Sequence, residues 1–212
     1  MIPKLHYLSQ GVSPKEHLEN IQKACSAGVE MVQLRLKNIS EKKCLKFAEE
    51  AREITSHFQT RLIINGHYKI AKTVKADGVH LEKSDVCPII ARTHIYTWQI
   101  IGGTANTFQD CETLISKQVD YISLSPFKAL KVQENGAHVL GLDGYRAILD
   151  VLKTETPIIG VGEINSKDVK NILETGISGI GVSDAITQDF NIVKELNELL
   201  SASATEEQRH TF

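Results

Sequence analysis

The stretch VEMVQLRLKN, residues 29–38, decides the fold. At the two-residue period of a β-strand it places Val32, Leu34 and Leu36 on one face and Gln33, Arg35 and Lys37 on the other. The run from Val29 to Leu36 is too continuous in large apolar residues for a solvent-washed edge strand. Two cations on so apolar a strand therefore point into a site.

Short β-branched runs of the same kind recur along the chain: LHYLS near 5, RLIIN at 61, DGVHL at 77, QIIGGT at 99, DYISLS at 120, PIIGVG at 157 and GIGVS at 179. The segments between them have helical periodicity, with Leu18, Ile21 and Cys25 on one face of the first and Cys44, Phe47, Ala48, Ala51 and Ile54 on one face of the second. Ser13-Pro14-Lys15-Glu16 has the pattern of a capping box, Ser40, Thr107, Asp143 and Ser166 are candidate N-caps, and Gly176 marks a helix end. Eight strand-helix units in order, joined by short connections, predict an α/β chain folded as a single compact (β/α)8 TIM barrel. An open doubly wound sheet, in which the strand order reverses, is the alternative that periodicity leaves standing. The barrel spans residues 1–200, and the polar stretch 201–212 reads as a mobile tail. In the barrel, Gln33, Arg35 and Lys37 climb toward the C-terminal mouth, where active sites are built. Residues 127–144, FKALKVQENGAHVLGLDG, form a long aperiodic loop at that mouth.

The 212 residues carry a formal net charge of −2, so no basic excess points to nucleic acid as a partner. No apolar run approaches the roughly 20 residues that span a bilayer, and the N-terminus MIPKLHYLSQ lacks the apolar core of a secretion signal, which predicts a cytoplasmic protein. Cys25, Cys44, Cys87 and Cys111 are scattered without metal-ligand spacing and read as reduced, partly buried thiols.

The last two strands end in GVGEIN (160–165) and GIGVSD (179–184). Glycine turns after strands seven and eight of a barrel commonly hold a phosphate on backbone N–H groups, although tight βα turns alone also use glycine. QLRLK, IIN at 63, ADGVHL at 76 followed by Asp85, IIGGT at 100, DYISLSP at 120, PIIGVG at 157 and GISGIGVSDAI at 176 resemble, in order and spacing over residues 5 to 195, the thiamine phosphate synthases and their thiazole-tautomerase relatives. That resemblance implies a barrel transferase joining 4-amino-2-methyl-5-hydroxymethylpyrimidine pyrophosphate to thiazole phosphate, giving thiamine phosphate and pyrophosphate, with Mg²⁺ on the departing pyrophosphate. It also implies phosphorylated small-molecule partners and a homo-oligomer. Such a reaction needs concentrated positive charge on the leaving group and a water-poor slot for the pyrimidine.

Carried over by position, Gln33, Arg35 and Lys37 match the family's Q-x-R-x-K, with the two cations and Asn65 as catalytic residues. Gln33, His80, Thr104, Gly162 and Ser183 complete the substrate-binding set, with Thr104 where Ser is usual and Gly162 and Ser183 holding the thiazole phosphate. Asp85 matches the metal-binding Asp, or else caps the short fourth helix. Asp77, at the opposite end of its strand, reads as structural.

The departures are equally specific. Gly66 stands where the family has a second metal-binding Asp, and Leu130, Val132 and Gln133 stand where a T-x-T-K run grips pyrophosphate, which predicts divergent or weak activity. Lys128 or Lys131 is then the candidate replacement cation. Asp184 occupies the place of a phosphate-contacting Ser, and Asn106 that of the tautomerase base, a role an amide cannot fill. A non-catalytic phosphate-binding barrel and a thiazole tautomerase-like isomerase are the alternatives.

Overall fold

The structure, a computed structural model, describes residues 1–129 and 138–209. Along the chain run β1 (Leu5–Leu8), α1 (Pro14–Ser26), β2 (Met31–Leu34), α2 (Glu41–His57), β3 (Arg61–Asn65), α3 (Tyr68–Thr73), β4 (Gly78–Leu81) and α4 (Pro88–His94). They continue through β5 (Ile100–Ala105), α5 (Phe108–Ser116), β6 (Tyr121–Leu124), α6 (Gly141–Leu149), β7 (Ile158–Val161), α7 (Ser166–Leu173), β8 (Gly179–Val182), α8 (Asp184–Gln188) and α9 (Ile192–Arg209). All neighbouring strands are parallel, and β1 pairs with both β2 and β8, so the sheet closes into an eight-stranded barrel. Closure removes the open-sheet alternative. The polar stretch after residue 200 begins as the last part of α9. No helix among the described residues is long and apolar enough to cross a membrane.

The alternation read in residues 29–38 holds as far as Leu34, where the strand ends; Arg35, Leu36 and Lys37 lie in the loop beyond it, and Lys37 is exposed. Val32 and Leu34 join the apolar core between barrel and helices, and Leu36 packs on it from the loop. Gln33 lies opposite Leu8 and Ile63 and faces the interior. The interior is crowded by Tyr121. A Cβ on Gly102 would lie 2.1 Å from the Tyr121 ring, so β5 must carry glycine where the tyrosine crosses the lumen.

The helix faces are those of the periodicity: Leu18, Ile21 and Cys25 are buried in α1, and Cys44, Ala48 and Ala51 in α2. Ser40 and Thr107 cap α2 and α5. Three expectations change. Ser13 accepts from the Glu16 N–H, but the Glu16 carboxylate accepts from Val12 rather than closing the box on Ser13. Asn165, not Ser166, caps α7, because its amide oxygen accepts from the Lys167 N–H while Asp168 accepts back from the Asn165 N–H. Asp143 lies inside the first turn of α6, which starts earlier, at Gly141.

Two matching locks tie helices to the N-terminal end of the barrel. Asp77, just before β4, accepts from Arg52 of α2 at 2.6 Å and from the Leu62 N–H at 2.8 Å. Asp120, just before β6, accepts from Arg92 of α4 at 2.5 Å and from the Ile101 N–H at 2.7 Å. Asp77 is structural, as read.

Candidate active site

At the other end of the barrel, β3 finishes on Asn65, whose side-chain oxygen accepts from Gln33 Nε2 at 2.7 Å. These two amides bridge β2 and β3 at the mouth. The chain then turns at Gly66, with φ +74°, directly against Asp85: a Cβ on Gly66 would stand 3.3 Å from both Asp85 carboxylate oxygens. Asp85 also accepts from the Glu82 N–H at 2.8 Å, so it closes its own loop, whereas the N-cap position of α4 is held by Cys87 without a side-chain capping bond.

Arg35 and Lys37 follow the last residue of β2. The Arg35 N–H donates to Ser9 Oγ at 3.0 Å, and Ser9 is bonded in turn to His17 Nδ1 at 2.8 Å. That clamp holds the backbone while the guanidinium swings inward, where Nη2 lies 3.7 Å from Glu82 Oε1. Its Nε is buried with no hydrogen-bond partner among the described residues. Arg35 lines two cavities at once. One, of about 250 Å³, is shared with Gly162, Glu163, Ser183 and Asp184. The other, of about 640 Å³, is shared with His17 and Lys37.

The glycine turns frame the first cavity. Gly162 takes φ +125°, and a Cβ there would meet the Phe127 backbone nitrogen at 2.6 Å, so the loop after β6 sits on this turn. The Ser183 hydroxyl has two acceptors, the Leu8 carbonyl at 2.8 Å and Gln10 Oε1 at 3.2 Å, which engage its proton at β1 and the loop after it. The Asp184 carboxylate accepts from Gln10 at 2.7 Å and from Gln188 at 3.2 Å, and it lines both cavities. Lys128 donates to both Asp168 oxygens, at 2.7 and 2.6 Å, and is thereby tied to the start of α7 rather than available to replace a missing cation. Leu130, Lys131, Val132 and Gln133 lie outside the described residues.

Below the mouth, His80 is bonded through Nε2 to Thr104 Oγ1 at 2.8 Å and through Nδ1 to the Tyr121 hydroxyl at 3.1 Å. Burial pushes the imidazole down to about 4; Glu82 opposes that shift and Arg35 adds to it. The ring is therefore neutral near pH 7. Burial likewise raises the Tyr121 phenol far above its ordinary value.

Among the described residues no group of three or more His, Cys, Asp and Glu side chains is arranged to hold a metal. Mg²⁺, however, is commonly held by one or two carboxylates, with substrate phosphates and water supplying the other oxygens. Asp85, which lines a cavity with Glu82 and Thr104, fits as a single anchor of that kind.

Of the residues singled out from sequence, Gln33 and Asn65 bond to each other, His80 to Thr104, and Arg35 shares one cavity with Lys37 and the other with Gly162, while Ser183 lines both. Glu82, Ser9, His17, Tyr121 and Gln10 were not anticipated. Glu82 continues the two-residue period from His80 and could have been found that way.

The sequence model of the family described as thiamine monophosphate synthase matches residues 8–186. A thiamine-phosphate synthase of Flavobacterium johnsoniae is 38% identical over 209 residues, covering 96% of this chain and 99% of that protein. One from Bacteroides fragilis is 32% identical over 93% of this chain and 98% of its own length. Among solved structures, a thiamine phosphate pyrophosphorylase from Pyrococcus furiosus superposes with a TM-score of 0.81 at 25% identity, covering 94% of this chain and 96% of that one. With the closed barrel, the family model and near-complete coverage by its relatives agreeing, this chain belongs to the thiamine monophosphate synthase family.

Proposed function

We propose that the protein is a thiamine phosphate synthase, a transferase that joins the pyrimidine methyl pyrophosphate to thiazole phosphate and releases pyrophosphate. The observation that carries this reading is Arg35: a guanidinium at the junction of two cavities, held from behind by Ser9, whose buried Nε has no partner among the described residues. A buried donor without a partner costs about 1–3 kcal/mol, a cost that a bound anion removes. A pyrophosphate supplies such an acceptor.

In the reaction, the bond between the pyrimidine methylene carbon and the pyrophosphate oxygen breaks, and the thiazole nitrogen bonds to that carbon. Arg35 and Lys37 meet the negative charge that grows on the departing oxygen. Asn65, oriented by Gln33, holds the substrate at the β3 corner. The neutral His80 and Thr104 line the slot beneath. The turn at Gly162 gives the thiazole phosphate backbone donors, and the nearby Asp184 carboxylate accepts from Gln10 and Gln188. Mg²⁺, which the family generally uses, would be held by Asp85 and supplies charge neutralisation on the pyrophosphate.

Purified protein incubated with the two substrates and Mg²⁺ is expected to form thiamine phosphate and pyrophosphate in equal amounts. Binding of both substrates without product would overturn the transferase reading in favour of a binding barrel.

A further inference from the structure

We infer that Tyr121 and His80 are positioning residues that set the direction of the Thr104 hydroxyl, so that Thr104 offers its proton, not its lone pairs, to an acceptor atom of the pyrimidine pyrophosphate. The inference rests on the transferase reading and adds a residue chain to it.

The chain is polarised from its buried end. Tyr121 is 1% exposed, and among the described residues its hydroxyl bonds to His80 Nδ1. The phenol oxygen lies 2.5 Å from where a Cβ on Gly102 would stand, with backbone rather than solvent beside it. Were Nδ1 protonated, the phenol would have to accept, and its own hydrogen would be buried with no acceptor, which costs the full desolvation of that donor. The phenol therefore donates to Nδ1. A neutral imidazole with Nδ1 accepting carries its hydrogen on Nε2, and that hydrogen goes to Thr104 Oγ1. Having accepted from Nε2, the threonine hydroxyl points its own hydrogen away from the histidine.

Thr104 is half-buried near the end of β5, and it lines a cavity of about 250 Å³ with Glu82 and Asp85. That is the side on which the pyrophosphate is expected. Neighbouring groups leave the chain undisturbed near neutral pH. His6 meets the Tyr121 ring edge-on at 5.2 Å and donates Nε2–H to the Pro3 carbonyl; burial, against that bond, pushes it down to about 4, so it too is neutral near pH 7. The charges facing His80 are Glu82 and Arg35, which act on it in opposite senses. A hydroxyl fixed in this way need not reorient when substrate arrives.

The tautomer is read directly by ¹⁵N NMR of the histidine rings in the intact protein at pH 7. His80 is expected to show a protonated Nε2 and an accepting Nδ1; a protonated Nδ1 would overturn the inference. This readout does not depend on turnover, so it fails separately from the proposed reaction. Kinetics supply the second arm. Tyr121→Phe and Thr104→Val are each expected to lower kcat/KM about tenfold. In the Thr104→Val background, Tyr121→Phe should cost less than about twofold more, because both changes remove the same oriented proton. Independent, multiplying losses would make Tyr121 a packing residue and sink the proposal.

Discussion

Arginine-carboxylate pairs occupy both ends of this barrel, and they are built differently. At the N-terminal end, Arg52 and Arg92 close on Asp77 and Asp120 at 2.6 and 2.5 Å, and each aspartate also accepts a strand N–H. At the C-terminal mouth, Arg35 stands off Glu82 at 3.7 Å and keeps a buried Nε without a partner among the described residues. The first arrangement leaves no buried side-chain polar atom without a partner among the described residues and ties helices to strands. The second leaves hydrogen-bonding capacity unspent at the mouth. On the proposed reading the same side chain serves stability at one end and binding at the other, and what separates the roles is how its buried donors are answered.

The comparison breaks if the two arginines respond alike to removal. Arg35→Ala is expected to lower turnover by about 10²–10³-fold, the cost of losing one charge-stabilising donor. Thermal melting should stay the same or rise slightly, because an unanswered buried donor leaves with it.

Between the two ends, His6 and His80 give the barrel interior its own pH signature. Both are held near 4 by burial, against 6.5 for an ordinary histidine. As pH falls the unfolded chain takes up these protons first, so this part of the stability is complete above about pH 6.5 and is lost progressively toward pH 4. The loss across that window is on the order of a few kcal/mol, measurable by urea unfolding at stepped pH. His6→Phe should flatten the slope.

Asp77→Ala should cost about 1–2 kcal/mol in denaturant unfolding, discounted because the pair is partly exposed, with kcat and KM unchanged. The smallest effect sharpens the picture of the mouth. Gly66→Asp puts a second carboxylate against Asp85 at a position with φ +74°. It is expected to lower the Mg²⁺ concentration needed for half-maximal activity several-fold, while destabilising the metal-free protein by about 1 kcal/mol through backbone strain and charge repulsion.

The barrel was legible because its strands are buried on both faces and punctuated by capped helices, so short β-branched runs stood out. Arg35 and Lys37 were legible because a period of two on an apolar strand makes charges conspicuous. Misplaced caps came from local competition: Asn165 precedes Ser166, and either side chain can cap, but only the asparagine has the extended backbone that aims its oxygen at the helix. What sequence could not reveal depends on distant pairing. Lys128 meets Asp168 40 residues away, and Tyr121 meets His80 41 residues away. No local pattern encodes such partners; closure of the barrel brings them together.

Calorimetric titration of Mg²⁺ and inorganic pyrophosphate into the native protein, Arg35→Ala and Arg52→Ala tests the contrast between the two ends most directly. Binding should persist in Arg52→Ala and fall at least tenfold in Arg35→Ala. Equal affinity in all three proteins would contradict the assignment of the mouth arginine to the leaving group.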